Sequence, residues 1–208
     1  MIRVVILTIL GIITFIKSIN FVNVIEKDII IEIKKKGLIS LLIALSTTLL
    51  YFKYNNSVEF YMYYYISIYL LISGYIDYKT KNVYPIFNWV TIIIGVIYLI
   101  YIKNMGIDIR YTITCVIIYI VLVKIMGYLN YFGEGDVDIY IALSIFIGCL
   151  KINSSLVLAI LLLNMILSEV VLIITNIKLL DIKKMRFKKE IAFAPSIAIS
   201  TMLFILLL

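Results

Sequence analysis

Residues 155–177 read Ser-Leu-Val-Leu-Ala-Ile-Leu-Leu-Leu-Asn-Met-Ile-Leu-Ser-Glu-Val-Val-Leu-Ile-Ile-Thr-Asn-Ile, with one charge, Glu169, in the whole stretch. A helix crosses the hydrocarbon of a bilayer with about 20 apolar residues, and about 17 suffice when long polar ends reach the interface. This run meets that requirement. Moving outward from it, seven more apolar segments appear at about 4–21, 38–52, 60–76, 86–102, 111–129, 137–150 and 191–208. The first, second and sixth are short for a crossing. The chain as a whole is 64% hydrophobic and 15% charged over 208 residues, with a mean hydropathy of +1.13. A soluble domain carries about 25% charged residues, so water is not the main solvent of this surface. The expected fold is all-α, a polytopic membrane helix bundle of about eight transmembrane helices. It forms a single membrane-embedded domain over residues 1–208, with a short cytoplasmic loop at about 22–37 and no separate soluble domain. Arg3 before the first apolar run has the look of a signal peptide, but Lys17-Ser18-Ile19-Asn20 is a poor cleavage site, and a retained helix is expected.

The residue inventory excludes several chemistries. The chain has no histidine, which removes a Ser-His triad, an imidazole base and a His-ligated metal. Two cysteines, Cys115 and Cys149, are too few for a four-thiolate zinc site, and both lie in apolar runs where free cysteine packs as a small hydrophobe. No metal and no cofactor is expected.

The net charge of +7 is explained by where the basic residues fall, and nucleic-acid binding is not expected. With eight helices and the amino terminus outside, the inner loops hold Lys17, Lys27, Lys34, Lys35, Lys36, Lys79, Lys81, Lys124, Lys178, Lys183, Lys184, Arg186, Lys188 and Lys189. The outer side holds Arg3, Lys53, Lys103, Arg110 and Lys151. This bias fits the positive-inside rule. The clusters 34–36 and 183–189 read as orientation signals that also meet anionic lipid at the cytoplasmic face. Pro85 is placed to open the fourth helix. Pro195, inside the last segment, predicts a kink or a late helix start, and Gly133 and Gly135 bracket the turn before the sixth helix.

Acidic residues are scarce, so their positions are informative. Glu26, Asp28, Glu32, Asp181 and Glu190 fall in charged loops, and Asp108 lies beside Arg110. Five stand out in or next to apolar surroundings: Asp77, Glu134, Asp136, Asp138 and Glu169. Asp77 ends the third helix in Gly74-Tyr75-Ile76-Asp77-Tyr78-Lys79. Asp136 begins the sixth in Gly133-Glu134-Gly135-Asp136-Val137-Asp138. In the charge topology both helix ends are cytoplasmic, so two aspartates nearly sixty residues apart share one membrane depth. An aspartyl dyad requires that placement. Two close carboxyls share one proton; the ionised member activates water and the protonated member holds the scissile carbonyl. Taken singly, Asp136 is also compatible with an ordinary helix cap, and Asp77 with a pairing to Lys79 or Lys81. Glu134 and Asp138 read as supporting or loop groups. Glu169 is an intramembrane acid that needs a partner, with Asn164 and Thr175 as neighbours.

At these residues the chain resembles the type IV prepilin peptidases, a family of membrane aspartyl proteases. Four patches carry the resemblance: Asn20-Phe21-Val22-Asn23-Val24-Ile25-Glu26; Asp77-Tyr78-Lys79-Thr80-Lys81-Asn82-Val83-Tyr84-Pro85; Gly133-Glu134-Gly135-Asp136; and Ile191-Ala192-Phe193-Ala194-Pro195. The resemblance implies that Asp77 and Asp136 are the catalytic pair, with Gly133 and Gly135 as supporting motif. It further implies cleavage of the short basic leader of prepilin or pseudopilin precursors at the cytoplasmic face of the cell membrane. Many bacterial members also methylate the new terminus and carry a cysteine-rich zinc loop after the first helix. Here the loop at about 22–37 has no cysteine, which leaves methyl transfer without support. Two further departures stand out: proline comes one residue late after Asp77, with Tyr84 before it, and Asp138 occupies a position where the family often has lysine.

Three other readings stay open at this level. They are a presenilin-like intramembrane protease, which shares the Gly-x-Gly-Asp signature; a preflagellin-type or tight-adherence pilin peptidase; and a non-catalytic transporter or assembly-platform protein whose carboxylates bind ions or shape a helix interface.

Overall fold

The computed structural model describes residues 2–25, 33–150, 155–181, 186–187 and 191–207. Among them are eight helices: α1 (Ile2–Ile25), α2 (Ile33–Tyr54), α3 (Val58–Thr80), α4 (Pro85–Asn104), α5 (Arg110–Tyr128), α6 (Glu134–Leu150), α7 (Val157–Thr175) and α8 (Ala194–Leu207). The only strand pairing among the described residues is two residues long, Leu180 and Asp181 against Phe187 and Arg186. The chain is an all-α, polytopic helix bundle.

Five helices are long and apolar enough to cross a membrane: α1, residues 36–54 of α2, α4, α5 and α7. α1 and α2 outrun the apolar segments at 4–21 and 38–52, because a helix continues through polar residues whose side chains reach back to water. The expected loop at 22–37 is correspondingly shorter, and its residues 26–32 lie outside the described residues. So do 182–185 and 188–190 of the second basic cluster. α3 has length enough, but seven tyrosines, Glu59, Asp77 and Lys79 lower its hydropathy; α6 and α8 have 17 and 14 residues.

These three less apolar or shorter helices sit inside the bundle. α3 and α6 each bury twelve residues, against four each for α1 and α4. α8 packs between α3 and α7, while α6 is flanked by α4 and α5. Polarity is turned inward. Ser67, Thr91, Ser144, Asn164, Ser168, Ser200 and Thr201 are buried, whereas Ile97, Trp89, Ile117, Ile166 and Ile174 are exposed on outer helices. That arrangement suits a lipid solvent, in which polar groups must be satisfied by protein. Interhelical bonds do so. Asn164 Nδ2 donates to Thr201 Oγ1 at 3.1 Å, Tyr69 Oη to Asn88 Oδ1 at 2.7 Å, and Tyr140 pairs with Ser168. At the far end of α8, Lys53 Nζ and Tyr54 Oη of α2 both donate to the Ile205 carbonyl, at 3.1 and 2.8 Å, satisfying acceptors that a helix end leaves over.

Glycine permits the closest crossings. A Cβ on Gly95 of α4 would lie 2.8 Å from Ile145 Cγ2 and 3.1 Å from the Phe146 ring of α6. Gly95→Val is therefore expected to destabilise the bundle by about 1–3 kcal/mol through overpacking, read as a lower midpoint of thermal unfolding in detergent.

Candidate active site

Three helix ends meet at one end of the bundle: the last turn of α3, the first turn of α6 and the first turn of α8. α3 closes at Lys81, whose φ of 60° is left-handed and whose N–H donates to the Asp77 carbonyl at 2.8 Å. A left-handed residue ends a helix because it redirects the chain. Residues 82–84 then lead into α4, where Pro85 stands in the first turn as expected. This connection lies on α6: a Cβ on Gly135 would come within 2.5 Å of Val83 Cβ. The close approach brings the helix that carries Asp136 against the end of the helix that carries Asp77.

Gly133, not Asp136, caps α6. Its carbonyl accepts from Val137 N at 3.1 Å, and Glu134 and Gly135 already belong to the first helical turn. The expectation that both glycines precede the helix is corrected for Gly135. Asp136 is the third helical residue, and its carboxylate reaches back to accept from the Gly133 N–H, the geometry of a capping box. A Cβ on Gly133 would sit 3.1 Å from Asp136 Oδ2, so the glycine leaves room for the carboxylate.

Asp77 is only 4% exposed. Its Oδ2 accepts from the Ala194 N–H at 2.9 Å, and the Phe193 N–H also acts on it. Ala194 is the first residue of α8 and Pro195 the second, so Pro195 produces the late helix start rather than a kink. One turn before Asp77, a Cβ on Gly74 would lie 3.3 Å from Pro195 Cα; with no side chain at 74, α8 reaches α3.

Asp77 directly follows the apolar run 60–76, and Asp136 directly precedes the run 137–150. Burial pushes Asp136 above the ordinary carboxylate range, and the nearby Asp77 pushes the same way, against the Gly133 N–H. Asp77 is also raised by burial, opposed by the Ala194 N–H, the Lys81 charge and the Phe193 N–H. Of the two acids singled out in the sequence, Asp77 therefore lies close enough to Asp136 to oppose its ionisation. Lys81 acts on Asp77 through space, its ammonium resting over the Tyr78 ring at 5.6 Å, and among the described residues the ion pair is Asp108 with Arg110 at 4.0 Å.

The remaining acids stand apart from this pair. Glu134 is exposed. Asp138 has Lys124 and Glu134 as charged neighbours. Glu169 is half-buried on α7, and neither neighbour suggested for it faces it: Asn164 exchanges hydrogen bonds with Thr201, and Thr175 donates to Val171 O and Leu172 O. The amides of Phe193 and Ala194 were missed as site groups because a backbone donor has no signature in residue type. The patch 191–195 was their only trace in the sequence.

Comparison with known families gives one match: the type IV leader peptidase family, over residues 64–174. The matched stretch is just over half of the chain and contains Asp77 and both glycines with Asp136, but neither 20–26 nor 191–195. No curated protein and no solved structure gives a match.

The convergence of α3 and α6 has a direct check. With Cys115 and Cys149 replaced by alanine, Asp77→Cys paired with Asp136→Cys is expected to cross-link with a short bifunctional thiol reagent. Adding Gly135→Val, which collides with Val83, should lower the yield.

Proposed function

Because the chain belongs to the type IV leader peptidase family, we propose that it is an aspartic endopeptidase whose catalytic pair is Asp77 and Asp136. The observation that carries this reading is that two carboxyls from different helices come together at one end of the bundle, where Asp77 opposes the ionisation of Asp136. One proton between them leaves one carboxylate to draw a proton from water and one acid to hold the scissile carbonyl and neutralise the oxyanion as it forms. Attack by that water breaks the peptide C–N bond, and the proton returns to the leaving amine. Gly133 and Gly135 support the pair by clearing space for the carboxylate and for Val83.

The substrates in this reading are prepilin-like precursors with a short basic leader, cut at the cytoplasmic face of the plasma membrane. The excess of lysine on that side supports the orientation, and its basic clusters suit anionic lipid. The 208 residues act as one membrane-embedded peptidase domain.

Co-expression with a candidate precursor, followed by mass measurement of the product, tests the assignment. Asp77→Asn and Asp136→Asn are each expected to lower processing by about 10²–10⁴-fold while membrane insertion is retained; normal processing by either variant removes it from the pair.

The dependence on pH follows from the same shifts. Both carboxyls are raised above their ordinary value of 3.8, and the singly protonated pair is the active form. Activity should fall at low pH as a second proton binds and at high pH as the last one leaves, giving a bell centred above the ordinary carboxylate range. A plateau that persists well above neutral pH contradicts the shared proton.

A further inference from the structure

The first turn of α8 lies outside the residues that match the family, yet it makes the most direct contact with either aspartate. We propose that the amino end of α8 is the positioning element for Asp77 and makes it the negatively charged member of the pair, leaving the shared proton on Asp136. This inference rests on the dyad reading and assigns the two roles within it.

Three features support the division. Asp77 Oδ2 accepts the Ala194 N–H at 2.9 Å, a bond from the first amide of a helix, which has no partner within that helix. Hydrogen bonds to an ionised acceptor are about twice as strong as neutral ones, so this donor favours the carboxylate over the acid. The Phe193 N–H adds a second donor, and the partial positive charge at the helix end acts in the same sense. Asp136 has one backbone donor, Gly133. The ends of α3 and α6 oppose the assignment, since Asp77 sits at a carboxyl end and Asp136 at an amino end. A terminal dipole contributes less than a hydrogen bond to a charged group, and the two backbone donors on Asp77 outweigh it. Among the described residues Lys81, on its own helix, is the charge that acts on Asp77, while Asp77 in turn acts on Asp136 of α6.

Gly74 sets the distance. A Cβ there would lie tight against Pro195 Cα at 3.3 Å, with Pro195 N in ordinary contact at 3.5 Å, so a side chain at 74 shifts the first turn of α8 by at least a few tenths of an ångström relative to Asp77. Gly74 and Pro195 are thus positioning residues, acting on Asp77 through the first turn of α8.

The test is the pH profile of kcat/KM for purified wild type, Gly74→Ala, Gly74→Val and Gly133→Ala, with thermal midpoints measured alongside. Weakening the Ala194 bond makes Asp77 a weaker acid. If Asp77 must be ionised, the acid limb of Gly74→Ala moves up by about half a pH unit, a threefold loss on that side, and Gly74→Val moves it further. In Gly133→Ala the basic limb moves, because Asp136 carries the proton. The proposal is overturned if the Gly74 variants move the basic limb, which assigns the charge to Asp136. It is also overturned if they lower activity at every pH without moving either limb, which makes α8 merely structural. Failure of the wild type to process any precursor contradicts the dyad reading instead, and the two failures are distinct.

Discussion

Bringing the Asp77 carboxyl close enough to oppose the ionisation of Asp136 constrains the rest of the molecule. Carboxylates side by side at the edge of a membrane repel, and both lose hydration; one shared proton removes most of that penalty. The pair still has to be held together against separation, and three helix ends converge for it. Each contributes a different device: a left-handed cap at Lys81 that turns the chain toward α6, glycines at 133 and 135 that permit contact, and free amides at the start of α8. Remove the need to hold two acids together, and the glycine at 74 and the late start of α8 at Pro195 lose their shared purpose.

The same constraint accounts for the inside-out distribution of polarity. The helices that bear the acids, α3 and α6, are the two most thoroughly buried, and α3 is too rich in tyrosine to rank among the apolar crossings. Hydroxyls are tolerated there because neighbouring helices supply partners, as Asn88 does for Tyr69 and Ser168 for Tyr140. The outer helices α1, α2, α4, α5 and α7 present apolar side chains to lipid. A polar, aromatic interior surrounded by an apolar ring lets an interfacial site be anchored rigidly from below, since buried interhelical hydrogen bonds and close glycine crossings resist sliding.

Much of this was legible in the sequence, and what was not has physical causes. The eight helices follow from apolar length, and the late start of α8 at Pro195 and the start of α4 at Pro85 from the chemistry of proline. Asp77 and Asp136 stood out because acids are rare and the charge pattern puts both helix ends on one predicted side of the membrane. Helix ends were harder: α1 and α2 run past their apolar cores, since hydropathy records the solvent of a side chain and not the reach of the backbone ladder. Gly135 belongs to α6 and not to the turn before it, because a glycine inside a first helical turn looks the same in sequence as one outside. The Ala194 and Phe193 amides were hidden entirely. Backbone donors belong to every residue, and only the fold says which are left over and where they point.

The central claim is that Asp77 and Asp136 hold one proton between them. Infrared difference spectroscopy on the membrane-reconstituted protein, titrated through the carboxylate range and above, measures this directly, with Asp77→Asn and Asp136→Asn as references. The account predicts a protonated-carboxyl band that survives above the range where isolated aspartates ionise and that is altered by either substitution. Two aspartates titrating independently at their ordinary value, each indifferent to loss of the other, would contradict it.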